Sequence, residues 1–99
     1  MREIRFDRFG GSDVLTLHTD APVPEPAADE VLVQVAFAGL HPLDFKIRDG
    51  SSGRAEDLEL PAGTGREMAG TVIGAGSGLD EAELGSRGLT VGTRVFGRR

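Results

Sequence analysis

The stretch that decides the fold runs from residue 30 to residue 50 and reads EVLVQVAFAGLHPLDFKIRDG. Every second position from 31 to 37 is apolar, which predicts a strand over Glu30–Ala38 with one apolar face. That face would consist of Val31, Val33, Val35 and Phe37. The alternation stops at Gly39, so a different element is expected to follow.

A short helix is predicted directly after this strand. Pro42 suits the first position of a helix, where a missing N–H costs little, and Gly50 suits the residue after the last one. Leu43 and Ile47 are spaced at i, i+4, so both lie on one side of the helix. We therefore expect about two helical turns that end near Asp49.

The remaining segments are mostly strand-like. Further strands are predicted at residues 2–6, 14–18, 67–73 and 93–96, and irregular charged segments at residues 51–59 and 80–88. The 15 glycines and 5 prolines indicate many turns between short elements. Because strands outnumber helices, the fold class is mainly β, a small barrel or sandwich.

Composition narrows the class of function. The formal net charge of −5 argues against nucleic-acid binding, which normally needs a basic patch. The absence of cysteine excludes disulfides and thiolate zinc ligands in this sequence. No run approaches the ~20 apolar residues of a membrane span, and the N-terminus lacks the apolar core of a signal peptide. We expect a cytoplasmic domain without nucleic-acid or membrane partners.

Four segments together carry a resemblance to a known family. They are MREIRFDRFGGSDVL (residues 1–15), PVPEPAADEVLVQVAFAGLHPLDFKIRDG (22–50), PAGTGREMAGTVIGAGSG (61–78) and VGTRVFG (91–97). In this order and spacing they resemble the N-terminal GroES-like domain of the zinc-independent medium-chain dehydrogenase/reductase family, the zeta-crystallin-like NADPH:quinone oxidoreductases. Thr93 departs from the aspartate that is usual at this position.

The resemblance implies a fold and an activity. It implies that residues 1–99 form one GroES-like domain, a partly open β-barrel with one or two short helices. Complete members add a Rossmann domain that binds NADPH, and that domain is expected to be absent from this chain. The implied activity is hydride transfer from NADPH to a quinone or an enone-like double bond. We expect an enzyme part that is truncated and inactive alone.

The run Gly74-Ala75-Gly76-Ser77-Gly78 imitates a dinucleotide-binding fingerprint. That fingerprint requires a helix after the glycines and an acidic residue about 20 positions later on a second parallel strand. The glycine spacing is one residue short, and the chain that follows is too short for the crossover. A tight turn in which glycine supplies positive φ is the preferred interpretation.

Two positions bear on zinc. In zinc-dependent relatives the residue matching His41 is usually a cysteine ligand, and the residue matching Arg66 is a histidine ligand. Arginine is always protonated and cannot bind a metal, and a catalytic zinc ion requires three protein ligands. Glu67 alone does not complete such a set, so we expect no metal.

His41 is the main candidate catalytic residue. The family usually has asparagine at this position, near the nicotinamide and the substrate. A histidine there would polarise the substrate carbonyl or contact the cofactor ribose. The alternative is a structural histidine that caps the helix beginning at Pro42, and the two readings are evenly balanced.

Further candidate residues lie within the family motifs. Lys46 would contact the cofactor phosphates or the substrate, or else be a solvated lysine on the helix. Asp44 is predicted to support the cleft by binding backbone donors near the helix start, and Arg48 to pair with Asp44 at i, i+4. Glu67 is predicted to support the cleft from a buried strand, with several hydrogen bonds or an arginine such as Arg66 or Arg94 as its partner.

A second function class stays open at this point. The chain could be a non-catalytic, stand-alone GroES-like module that binds another protein or itself. Leucine and phenylalanine side chains left uncovered without a second domain would favour a homo-oligomer.

Overall fold

The structure is a computed structural model that describes residues 1–53 and 55–98. The strands are β1 (Glu3–Phe6), β2 (Leu15–His18), β3 (Val31–Gly39), β4 (Glu67–Ala75) and β5 (Arg94–Arg98), and the helices are α1 (Pro42–Asp49) and α2 (Glu81–Ser86). Single 3-10 turns occur at Ser12–Val14 and Ala55–Asp57. The mainly β class with two short helices is confirmed. Within the predicted loop over residues 51–59, Arg54 lies outside the described residues.

One compact unit consists of residues 1–23 and 40–66. It contains α1 and the antiparallel pair β1–β2. Phe6, the last residue of β1, is only 1% exposed and exchanges two backbone hydrogen bonds of 2.9 Å with Ala62. The other buried apolar side chains of this unit are Val14 and Ala21. Burial of one large aromatic side chain contributes about 1.5–3 kcal/mol, so Phe6 is the main core residue here.

The second compact unit consists of residues 24–39 and 67–98. Its sheet has the order β3–β4–β5 with antiparallel pairing on both sides of β4. Val72 of β4 is fully buried and Leu84 of α2 is 6% exposed, so these two side chains form the core of this unit. In the described part of the chain the sheets of both units are open, and neither is closed into a barrel.

The regular alternation predicted for β3 is wrong. Val35 lies opposite Gly70 and Phe37 lies opposite Ala69, although Ala69 and Gly70 are adjacent in β4 and therefore face opposite sides of the sheet. A β-bulge at Ala36 causes this change, whereas the second irregularity, after Leu32, leaves its extra residue in β4. The four side chains expected on one face are consequently divided between the two faces of the sheet.

The irregular segment predicted over residues 80–88 is also wrong, because most of it is α2. The Asp80 carboxylate accepts a hydrogen bond of 2.8 Å from the Glu83 N–H and so caps the helix. Leu84 is the one buried residue of this helix. A capping aspartate and one apolar anchor are therefore sufficient for a helix of six residues.

Candidate active-site residues

The start of α1 is held by a reciprocal pair of hydrogen bonds between His41 and Asp44. The backbone of His41 is extended, with φ −136° and ψ 145°, and its Nδ1 atom accepts a hydrogen bond of 3.1 Å from the Leu43 N–H. The Asp44 carboxylate accepts a hydrogen bond of 3.0 Å from the His41 N–H. Pro42, at the first helical position, has no N–H that needs a partner. This arrangement is a capping box in which histidine takes the place of serine or threonine.

The hydrogen bond expected between Asp44 and a backbone donor at the helix start is thus present. The second carboxylate oxygen of Asp44, Oδ1, is buried and has no hydrogen-bond partner among the residues that the structure describes. The expected ion pair between Asp44 and Arg48 is wrong. The Arg48 Nε instead donates a hydrogen bond of 3.3 Å to the carbonyl of Gly10, which lies 38 positions away in the chain.

Lys46 lies on the exposed side of α1. Its ammonium group has no hydrogen bond or ion pair within residues 1–53 and 55–98. Lys46 lies five positions after His41, and at 100° per residue the two positions differ by about 140° around the helix axis. They can therefore contact only different parts of one extended ligand.

The second unit has an open groove of about 440 Å³ at one end of its sheet. It is lined by Phe37, Gly39, Glu67, Met68, Ala69, Phe96, Gly97 and Arg98. Phe37, Ala69 and Phe96 are directly opposite one another across the three strands, and the two phenyl rings are 77% and 89% exposed. The groove therefore combines an uncovered aromatic surface with two charged side chains at one end.

Glu67 begins β4 and lies between Gly39 on β3 and Arg98 on β5. A Cβ atom added to Gly39 would lie 2.7 Å from a carboxylate oxygen of Glu67, so the glutamate packs over the Gly39 backbone. The predicted burial of Glu67 is wrong because the side chain is exposed. It forms no ion pair with Arg94 in the described part of the chain, and its support role stays a prediction.

The glycine-rich run begins in the last two residues of β4 and continues into a turn, as predicted, but the glycines are required for a different reason. None of its glycines has positive φ. A Cβ atom on Gly76 would overlap the Ala27 carbonyl, and the Gly78 N–H donates 2.9 Å to the Ala28 carbonyl. Close backbone approach therefore requires glycine here.

A helix, α2, does follow this run, but the arrangement is unlike a dinucleotide site. Strand β5 is antiparallel to β4, whereas a dinucleotide fold requires two parallel strands. Glu81 and Glu83 in the first turn of α2 would repel a phosphate.

No group of three or more His, Asp or Glu side chains that could hold a metal ion is found in residues 1–53 and 55–98. Arg66 is at the position of a zinc-ligating histidine, and its guanidinium group has no lone pair that could bind a metal ion. No described helix is long and apolar enough to cross a membrane.

The candidate residues thus fall into two sets. His41, Asp44 and Lys46 are together on α1 in the first unit, and Glu67 is in the groove of the second unit. The sequence did not single out the exposed Phe37 and Phe96. Both residues lie opposite Ala69 of β4, and the sequence shows this only when the register of the three strands is already known.

Residues 27–98 match the family described as alcohol dehydrogenase GroES-like domain. The chain is 37% identical over 93 residues to a quinone oxidoreductase of Lama guanicoe, covering 94% of the chain and 28% of that protein. This chain therefore belongs to the alcohol dehydrogenase GroES-like domain family, as an N-terminal domain of the medium-chain dehydrogenase/reductases related to quinone oxidoreductases.

Solved structures agree with this family. The quinone oxidoreductase of Coxiella burnetii superposes with a TM-score of 0.86 at 37% identity, over 99% of this chain and 29% of that one. The quinone oxidoreductase of Escherichia coli, solved in complex with NADPH, gives a TM-score of 0.78 at 31% identity, over 97% and 26% of the two chains. The chain thus spans less than a third of the length of these relatives.

Proposed function

We propose that this chain forms the substrate side of an NADPH-dependent oxidoreductase that reduces a quinone or an activated double bond without zinc. The observation that carries the proposal is the similarity to the Coxiella burnetii quinone oxidoreductase over 99% of the chain. The remaining part of such a protein would bind most of the nucleotide, and the 99 residues alone would be inactive.

The side chains of α1 fit a role beside a nucleotide and a carbonyl compound. His41 is exposed, and Lys46 has a cation without a partner among the described residues. A lysine cation suits a phosphate oxygen, and an imidazole suits a ribose hydroxyl or a carbonyl oxygen. These are the contacts that we propose for the two residues, with Asp44 and Glu67 as supports.

The chemistry divides between the bound cofactor and the chain. NADPH, when bound, supplies the hydride. A hydride that adds to a quinone or an enone moves negative charge onto a carbonyl oxygen. A donor placed beside that oxygen lowers the barrier because it binds the developing charge. We assign this donor role to His41, and solvent supplies the proton that completes the product.

A fusion protein tests the proposal. The chain would replace the matching N-terminal part of the Escherichia coli quinone oxidoreductase, and the loss of NADPH absorbance would be followed with menadione as the acceptor. We expect turnover from the fusion protein, and none from the isolated chain or from the Escherichia coli remainder. Chelator treatment should leave the rate unchanged. Turnover by the isolated chain, or chelator-sensitive turnover, would contradict the proposal.

One observation favours the alternative, a stand-alone binding or oligomerisation module. Phe37 and Phe96 expose two phenyl rings on one sheet face, which is unusual for a surface without a partner. Light scattering on the isolated chain distinguishes the two functions when it is combined with the fusion assay. A defined oligomer that loses its size when Phe96 is changed to Ser, together with an inactive fusion protein, would support the module.

A further inference from the structure

The cap of α1 fixes the protonation pattern of the His41 ring. Its Nδ1 atom accepts the hydrogen bond from the Leu43 N–H, and an atom that accepts must offer a lone pair. A neutral imidazole carries one proton, so the proton is on Nε2. The capping contact therefore selects one of the two tautomers of His41.

The selected Nε2–H has no hydrogen-bond partner among the residues that the structure describes. The hydrogen bonds of His41 within residues 1–53 and 55–98 involve its backbone and Nδ1, and the side chain is exposed. Asp44 holds the His41 backbone from the other side of the capping box. The ring thus has one nitrogen fixed to the helix and the other available as a donor in a fixed direction.

We propose that His41 is a tautomer-locked hydrogen-bond donor to the substrate carbonyl oxygen, with Asp44 as the residue that positions it. This inference rests on the proposed function. A neutral imidazole that gave up its Nε2 proton would become an imidazolate anion. His41 therefore binds the developing oxyanion without protonating it, and it is a hydrogen-bond donor and not a general acid.

The same geometry predicts that asparagine can replace His41 in both roles. An asparagine side chain offers one oxygen that accepts and one NH2 group that donates. Its oxygen would replace Nδ1 in the cap, and its NH2 group would replace Nε2–H toward the substrate. An aspartate offers only acceptors, so it would cap the helix and provide no donor. This difference separates the two roles of His41.

The first test measures the tautomer in the isolated chain. Ring-nitrogen NMR shifts are recorded at a pH of about 8.5, where an ordinary imidazole is neutral. We expect His41 to show protonated Nε2 and unprotonated Nδ1. His18 is the internal control, since it is exposed and has no hydrogen bond in the described residues that would select a tautomer. A tautomer mixture at His41 equal to that of His18, or protonated Nδ1, would overturn the proposal.

The second test measures turnover in the fusion protein with menadione. His41→Asp should lower kcat on the order of 100-fold while the melting temperature is kept, because the cap stays and the donor is lost. His41→Asn should restore most of the turnover, and His41→Ala should lose both properties. Asp80→Ala removes the cap of α2 and should leave turnover unchanged. A His41→Asp variant with the turnover of the wild-type fusion protein would contradict the donor role of His41.

Failure of the inference and failure of the proposed function give different results. An inactive wild-type fusion protein would count against the proposed function, while the NMR measurement on the isolated chain still decides the tautomer. Two results would support the proposed function and contradict the inference. One is an active fusion protein whose His41 is a mixture of tautomers, and the other is an active fusion protein whose His41→Asp variant is equally active.

Discussion

The two helices of this chain begin in the same way but with different residues. Asp80 caps α2 through a carboxylate, and His41 caps α1 through Nδ1, with donor distances of 2.8 Å and 3.1 Å. Aspartate is among the best capping residues, whereas histidine is not. A carboxylate has no further donor to offer, whereas the histidine retains an N–H. The comparison indicates that the His41 cap stabilises α1 less than an aspartate would, but leaves a hydrogen-bond donor, Nε2–H, beside the helix start.

The helix ends provide the comparison with the largest expected effect. Gly50 ends α1 at φ 84°, and Gly88 follows α2 at φ 68°. A Cβ atom on Gly50 would approach Phe9 to 3.2 Å, whereas no atom lies within 4 Å of a Cβ on Gly88. We expect Gly50→Ala to cost ~2 kcal/mol of unfolding free energy and Gly88→Ala ~1 kcal/mol, measured by urea denaturation.

Both variants lose stability because alanine is strained in the left-handed backbone conformation. The difference between their losses of unfolding free energy therefore measures the contact with Phe9 alone. Equal losses would mean that Phe9 moves aside without cost. In a Phe9→Ala background the two losses should converge, since the obstructing ring is gone.

The helix starts should differ by a smaller amount. Asp80→Ala should cost ~1 kcal/mol and His41→Ala about half as much, since the histidine cap is the weaker one. Urea denaturation of each variant in the isolated chain provides the measurement. A larger loss for His41→Ala would show that the ring stabilises the fold beyond the cap, and would weaken the argument that histidine is kept for its donor.

The sequence was sufficient for α1 but not for α2. Pro42 and Gly50 mark the ends of α1 unmistakably, since each suits only one end of a helix. The start of α2 had a usable signal in Asp80 and Glu83, three residues apart as in a capping box, but the surrounding charges concealed it. The position of the short helices thus follows from local chemistry where proline and glycine delimit them.

Non-local features could not be read from the sequence. Ala36 is apolar like its neighbours, so nothing in the pattern of β3 shows the bulge that redirects Phe37. The partner of Arg48 is a carbonyl 38 residues away, which helical spacing cannot indicate. For the candidate site, His41 and Asp44 were found from motif and capping position, whereas the exposed groove around Phe96 depends on the sheet register.

Arg48 in the last turn of α1 and Arg87, the residue directly after α2, provide a third prediction. Arg48 donates to the partly buried Gly10 carbonyl, whereas Arg87 makes an exposed ion pair of 3.8 Å with Glu83. Arg48→Ala should cost ~1 kcal/mol and Arg87→Ala ~0.3 kcal/mol. In denaturation experiments at high salt, the stability loss of Arg87→Ala should disappear, whereas most of the loss of Arg48→Ala should remain. A salt-sensitive loss for Arg48→Ala would contradict the assignment of its partner.

The smallest effect is expected at Asp49, the last residue of α1. A hydrogen bond from the Ser51 side chain, and a second one of 2.8 Å from the Ser51 N–H, hold the pKa of Asp49 below its ordinary value. A pKa that is lower in the folded state stabilises the fold above the pKa of the unfolded state, and this stability is lost as the pH falls through the folded value. Ser51→Ala removes the larger cause, so the pKa of Asp49 should rise toward its ordinary value in a carboxyl NMR titration. An unchanged titration would mean that the Ser51 backbone N–H alone holds the pKa of Asp49 below its ordinary value.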